Sequence, residues 1–170
     1  MAYDLPISLQ KMLYMEETYR TNSFLFKNKK EGLINFRTVS YILGILVLVE
    51  AGLFAICAGI SAIYHESSYI CFVWAILINI GIGGVMILAG NRKSNIVSRR
   101  DGYCIVSISW ILFTLLGMLP FYLSGYIPSV TDAFFETMSG FTTTGATILN
   151  DIESLPHGLL FWRSFTQWIG

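Results

Sequence analysis

Thr131-Asp132-Ala133-Phe134-Phe135-Glu136-Thr137-Met138-Ser139-Gly140-Phe141-Thr142-Thr143-Thr144-Gly145-Ala146-Thr147 is the stretch on which the reading of this chain turns. It lies in a segment, Ile127 to Pro156, that is too polar to span a bilayer and too apolar for an ordinary loop. Pro128-Ser129-Val130-Thr131-Asp132 is a helix-start signal, with Ser129 or Thr131 as N-cap and Asp132 suited to the first turn. A helix from there to about Phe141 covers roughly ten residues, or about 15 Å, half of a membrane. The β-branched run Thr142 to Thr144, followed by Gly145, then favours extended backbone. Non-helical backbone at bilayer depth is tolerated only where it is packed in protein or lines a watery cavity. A short re-entrant helix ahead of a Thr/Gly strand is the layout of a cation selectivity filter. Rings of backbone carbonyls replace the water lost by the ion without adding a full negative charge that would trap it. Gly145 has no Cβ to obstruct the conformation such carbonyls need, and the helix would aim its partially negative C-terminal end at the same place.

Three nearly charge-free stretches reach the roughly 20 residues that cross a hydrocarbon core: Tyr41 to Ile63, Tyr69 to Ala89 and Cys104 to Tyr126. With 54% hydrophobic and 13% charged residues, a membrane is the expected solvent. Tyr64 to Ser68 is so short that the first two spans should form an antiparallel hairpin. A fourth apolar segment follows Leu155-Pro156 and reaches only about 15 residues, roughly 22 Å, so the chain is expected to stop mid-span. The expected fold class is an all-α integral membrane protein. Its parts are a cytoplasmic lead (residues 1–38), a two-helix hairpin (39–90), a basic loop (91–102) and a pore repeat (103–170), with pore helix and filter over 129–147.

Charge placement sets the orientation. Lys11, Arg20, Lys27, Lys29, Lys30 and Arg37 precede the first span, and Arg92, Lys93, Arg99 and Arg100 fill the loop after the second. Tyr64 to Ser68 and everything from Gly102 to Trp162 carry no Lys or Arg. By the positive-inside bias the N-terminus is cytoplasmic and the third span runs outward, delivering the filter segment to the external face. Residues 1 to about 37 lack the design of a signal peptide and read as a cytoplasmic lead-in, with an interfacial helix as the one structured form they suggest. Eleven basic and eleven acidic residues balance, so nothing points to nucleic acid.

The residues from Thr131 to Thr147, with Leu155-Pro156-His157, Phe161-Trp162-Arg163 and Gln167-Trp168-Ile169-Gly170, resemble the first pore repeat of the Trk/Ktr/HKT potassium transporters. Ser98-Arg99-Arg100-Asp101-Gly102-Tyr103 extends the likeness upstream, and two spans ahead of the repeat resemble the TrkH-like membrane subunits. The resemblance implies four helix, pore-loop, helix units around one pore, of which this chain holds the first with its last helix truncated. It implies potassium (K+) as the transported ion, with the carbonyls of Thr143 and Thr144 as ligands and Gly145, Ala146 and Thr147 completing the strand. Glycine rather than serine at 145 argues for potassium over sodium. It further implies a homodimer in the bacterial inner membrane, in contact with lipid and gated by a cytosolic nucleotide-binding regulatory ring, for which the basic loop from Arg92 to Arg100 is the available surface. No organic cofactor and no enzyme activity follow from it.

Plainer readings stand beside these. Asp132 and Glu136 suit capping and internal pairing as well as cation attraction. Arg163 lies where an unpaired charge is costly and should pair with Asp132 or Glu136, holding the pore helix to the outgoing one. Glu50, mid-span, suits a protonated or helix-paired structural role. Ala51, Ala55, Ala58, Gly59 and Ala62, and more loosely Gly81 and Gly84, form small-residue stripes that close helix packing explains. Gly81-Ile82-Gly83-Gly84 lies inside a span and lacks the strand and acidic partner of a dinucleotide fingerprint. Cys57, Cys71 and Cys104 read as buried hydrophobes, and His65 and His157 have no second ligand at metal spacing. An intramembrane hydrolase has its parts in His157, Asp151 and several serines, without a GxSxG elbow. A non-transporting scaffold or a nonfunctional fragment is the alternative if the natural chain ends at residue 170, since one repeat cannot close a pore.

Overall fold

The computed structural model describes residues 11–21, 34–90 and 98–170, and the chain divides into two units, Met1–Asn35 and Phe36–Gly170. In the first, residues 11–21 form helix α1, exposed along its length. In the second, helices α2 (Phe36–Ile63), α3 (Tyr69–Ala89), α4 (Arg99–Gly117), α5 (Leu119–Leu123), α6 (Val130–Phe141) and α7 (His157–Ile169) follow one another. Among the described residues there is no strand.

Helices α2 and α3 make the expected hairpin, and three segments, Phe36–Ile63, Tyr69–Ala89 and Arg99–Leu123, are long and apolar enough to cross a membrane. α2 begins five residues before the expected Tyr41, because nothing from Phe36 to Ser40 interrupts helical backbone. Its buried side runs through Leu43, Val47, Glu50, Ala51, Phe54, Cys57 and Ser61, each three or four residues from another of the set, which puts one stripe inward. Apart from Ala51 and the half-buried Ala58, the small-residue stripes are not where the helices meet. Ala55, Gly59 and Ala62 are exposed, and a Cβ on Gly59, Gly81 or Gly84 would meet nothing. The close approach is instead at Gly44 and Gly83, where a Cβ on either would come within 2.9–3.0 Å of the other's carbonyl oxygen. Small residues at membrane helix crossings do this work only on the facing side.

The third span differs from the expected Cys104–Tyr126 at both ends. It starts at Arg99, because Ser98 and Asp101 form a reciprocal capping box that satisfies two N-terminal donors. Arg99 and Arg100 therefore belong to the first turn of α4 rather than to the basic loop; Arg92 and Lys93 lie outside the described residues. Near its far end the helix is interrupted at Met118. Pro120 supplies no N–H to continue the ladder, and its ring crowds the preceding turn. Gly125, at φ 76°, then reverses the chain toward α6, a left-handed conformation that glycine adopts without Cβ strain.

The core that seats α6 is aromatic. Trp162 of α7 lies edge-on to Phe54 of α2, with centroids 4.6 Å apart, and to Phe141 at the end of α6, 6.2 Å away. Phe113 of α4 stacks on Phe141 at 6.0 Å, and the Trp162 indole N–H donates to the Gly117 carbonyl at 2.9 Å. Trp162 is thus fixed at both its apolar and polar ends, as a buried indole requires.

Candidate pore segment

α6 is twelve residues, about 18 Å, and cannot cross a core of roughly 30 Å. Its start is set by Ser129, whose hydroxyl accepts the Asp132 backbone N–H at 3.4 Å, which selects Ser129 over Thr131 as the cap. Asp132 sits exposed in the first turn, where a carboxylate complements the helix dipole. At the other end Gly140 approaches α7 so closely that a Cβ there would collide with the Thr166 hydroxyl.

Beyond Phe141 the backbone is not simply extended. Thr142 leaves the helical region at φ −81°, ψ 2°, and Thr143 takes φ 55°, a left-handed conformation rare for a β-branched residue. Gly145 follows at φ 72°, with open space where a Cβ would stand. Expecting extended backbone from three threonines overlooked the need to turn the chain off a helix end first. The last carbonyls of α6 are used in doing so: Thr143 N–H donates to Gly140 O at 2.9 Å and Thr144 N–H to Ser139 O at 3.0 Å. The Ser139 hydroxyl donates to Ala146 O at 2.6 Å, and the Thr142 and Thr144 hydroxyls are 2.9 Å apart. Among the described residues the carbonyls of Thr142, Thr143, Thr144 and Gly145 accept no hydrogen bond, and the four residues are exposed.

Behind this strand lies one carboxylate. Glu136, 2% exposed, accepts from the Thr147 hydroxyl at 2.9 Å, the Ile148 backbone N–H at 3.1 Å and Arg163 Nε at 2.6 Å. Of the two partners expected for Arg163, Glu136 is the one engaged. A single acid therefore joins α6, the segment that follows it and α7. Ser139 was missed by sequence reasoning; its signal was a small hydroxyl one turn before a helix end, where local side-chain to backbone bonds are favoured.

His157 also has a partner that the sequence did not suggest. Its backbone N–H and ring Nδ1 both lie 2.7 Å from Glu66 Oε1, and its ring stacks on Tyr64 with centroids 4.0 Å apart. Burial opposes ionisation of Glu66, but bonds from the His157 backbone and ring, the Gly158 N–H and the Ser61 hydroxyl outweigh it and hold the carboxyl at about 2. No cluster of three or more metal-ligating groups occurs among the described residues.

The family model for TrkH, a cation transport protein, matches residues 68–170. The chain belongs to the TrkH family. The family is one of transport proteins, not enzymes, and with its apolar helices this chain is an integral membrane protein. Over 138 residues the chain is 35% identical to the Trk system potassium uptake protein TrkH of Salmonella typhimurium, covering 81% of this chain and 29% of that protein. The Trk system potassium uptake protein TrkG of Escherichia coli is 32% identical over 135 residues, covering 79% of this chain and 28% of its own length. The crystal structure of the potassium transporter TrkH from Vibrio parahaemolyticus superposes with a TM-score of 0.74 at 33% identity, covering 79% of this chain and 29% of that one. The chain thus spans less than a third of the TrkH-family relatives it matches.

Proposed function

We propose that this chain contributes one quarter of a potassium-selective pore, and that the protein to which it belongs takes up K+ across the membrane. The observation that carries the reading is the row of unbonded, exposed carbonyls at Thr142 to Gly145, following a half-membrane helix in a chain of the TrkH family. Carbonyl dipoles free of internal partners are what a dehydrated cation needs. Thr143 and Thr144 supply the ion-facing carbonyls, and Gly145 provides the conformation. Ala146 and Thr147 anchor the strand through Ser139 and Glu136, Arg163 holds Glu136, and Asp132 complements the dipole in the first turn of the helix that Ser129 caps. The division into lead, hairpin, basic loop and pore repeat follows, with the loop boundary moved to Ser98. The positive-inside pattern supports a cytoplasmic N-terminus in a bacterial inner membrane. The relatives are named as parts of Trk systems, which supports work with a regulatory subunit; a homodimer and a cytosolic nucleotide-binding ring are what the family resemblance implies.

Gly145→Ser in the intact transporter tests this. The ratio of K+ to Na+ uptake should fall, because a side chain at φ 72° strains the strand and withdraws its carbonyls from the pore axis. An unaltered ratio would sink the filter assignment. A scaffold role requires that the natural chain end at residue 170, and a reading frame continuing through further Thr/Gly pore loops removes that alternative.

A further inference from the structure

Glu50 and Asn79 stand in the middle of their helices, residues fifteen of 28 in α2 and eleven of 21 in α3. They are 1% and 0% exposed. Asn79 Nδ2 donates to Glu50 Oε2 at 3.4 Å, and the two remaining oxygens, Glu50 Oε1 and Asn79 Oδ1, have no hydrogen-bond partner. Both are acceptors unless a hydrogen is added, and buried acceptors without donors are rare and costly. Among the described residues no salt bridge reaches Glu50. On the elements packed against α2, the titratable groups of α3 are Tyr69 and Cys71 at its start. α4 carries Arg99, Arg100, Asp101, Tyr103 and Cys104 in its first two turns, and α7 carries His157, held by Glu66, and Arg163, held by Glu136. Facing Glu50 Oε1 instead is Gly117, where even a Cβ would stand 3.1 Å away.

We propose that Glu50 is a resident proton site, and that the acid closes a two-bond ring with the Asn79 amide. One proton on Oε1, taken from water as the carboxylate is neutralised, donates to Asn79 Oδ1 while Nδ2 donates to Oε2. Both orphaned oxygens are then satisfied by one atom. The hairpin carries no net charge at its centre, where a bare carboxylate would be expensive. The ring also gives α2 and α3 a polar register mark distinct from the Gly44–Gly83 crossing. It lies on the leading hairpin and does not depend on the filter reading.

Infrared spectroscopy of the intact protein in lipid nanodiscs tests it. At neutral pH the wild type should show the C=O band of a neutral carboxylic acid, and Glu50→Gln, whose amide reproduces both ring bonds, should lose that band while keeping the wild-type unfolding temperature. Asn79→Leu should shift the band to higher frequency, since the acid C=O loses its donor, a shift that a purely space-filling role for Asn79 would not produce. If Glu50→Gln removes only carboxylate absorption, the proposal is overturned. It is equally overturned if NaCl or KCl, exchanged for N-methylglucamine chloride at constant ionic strength, raises the unfolding temperature of wild type but not of Glu50→Gln, because the oxygens then hold a metal cation. Should the variants not fold, wild type grown with carboxyl-labelled glutamate decides: a labelled acid band that persists at pH 9 and resists deuterium exchange, as a carboxyl enclosed in the hairpin must, supports the site, and labelled carboxylate bands alone refute it.

Discussion

Replacing Arg163 by leucine would remove the cation that pairs with Glu136 while leaving that carboxylate enclosed behind the segment after α6. Breaking a buried ion pair from one side costs about 3–5 kcal/mol, chiefly because the remaining charge is stranded. Here the Thr147 hydroxyl and the Ile148 N–H stay in place, so the lower end, about 3 kcal/mol, is the expected loss. The double variant Arg163→Leu, Glu136→Leu strands no charge but frees Thr147 and Ile148. It should recover part of the stability while leaving the filter loosely held. Reversible unfolding in mixed micelles measures the first effect, and the K+ to Na+ uptake ratio of the same variants the second. Stability of Arg163→Leu within about 0.5 kcal/mol of wild type, the range of an ordinary surface substitution, would refute the reasoning.

Gly44→Leu or Gly83→Leu should each cost about 1–3 kcal/mol by overpacking the hairpin crossing, whereas Gly59→Leu, facing open space, should be nearly silent in the same unfolding assay. Ser139→Ala should loosen the strand by removing the bond to Ala146 O, read as about 1 kcal/mol of stability and a lower uptake selectivity. The folded-state value of about 2 at Glu66 lies below its ordinary 4.5, so its stabilisation is complete above about pH 4.5 and is lost as pH falls toward 2. That sets an upper bound of roughly 3 kcal/mol, and Glu66→Gln should flatten the acid limb of unfolding temperature against pH.

The bilayer-length helices were legible because hydrocarbon thickness imposes a count on apolar residues, and the limits of α6 because Ser129 and the threonine run mark where a helix starts and where it must stop. The Arg163 pairing was half legible: a charge at that depth demands a partner, but only the packing of α7 on α6 chooses Glu136 over Asp132. What the sequence hid depends on which side of a helix meets a neighbour. Gly44 and Gly83 look no different in the chain from Gly59 and Gly81, and only the first two face backbone. The left-handed Thr143 was hidden for another reason, since its intrinsic preference is overruled by the hydrogen bonds that close the helix end. The Glu66–His157 contact joins residues 91 positions apart, beyond the reach of any local pattern.

The contact between Gly140 and Thr166 restricts how this part of the molecule varies over time. A methyl group at 140 has no room while threonine stands opposite, and a larger residue at 166 has none while the pore helix keeps its place. A side chain at 140 is therefore expected only where glycine or alanine already stands at 166. The seam is in that sense a lock with two tumblers, one on α6 and one on α7.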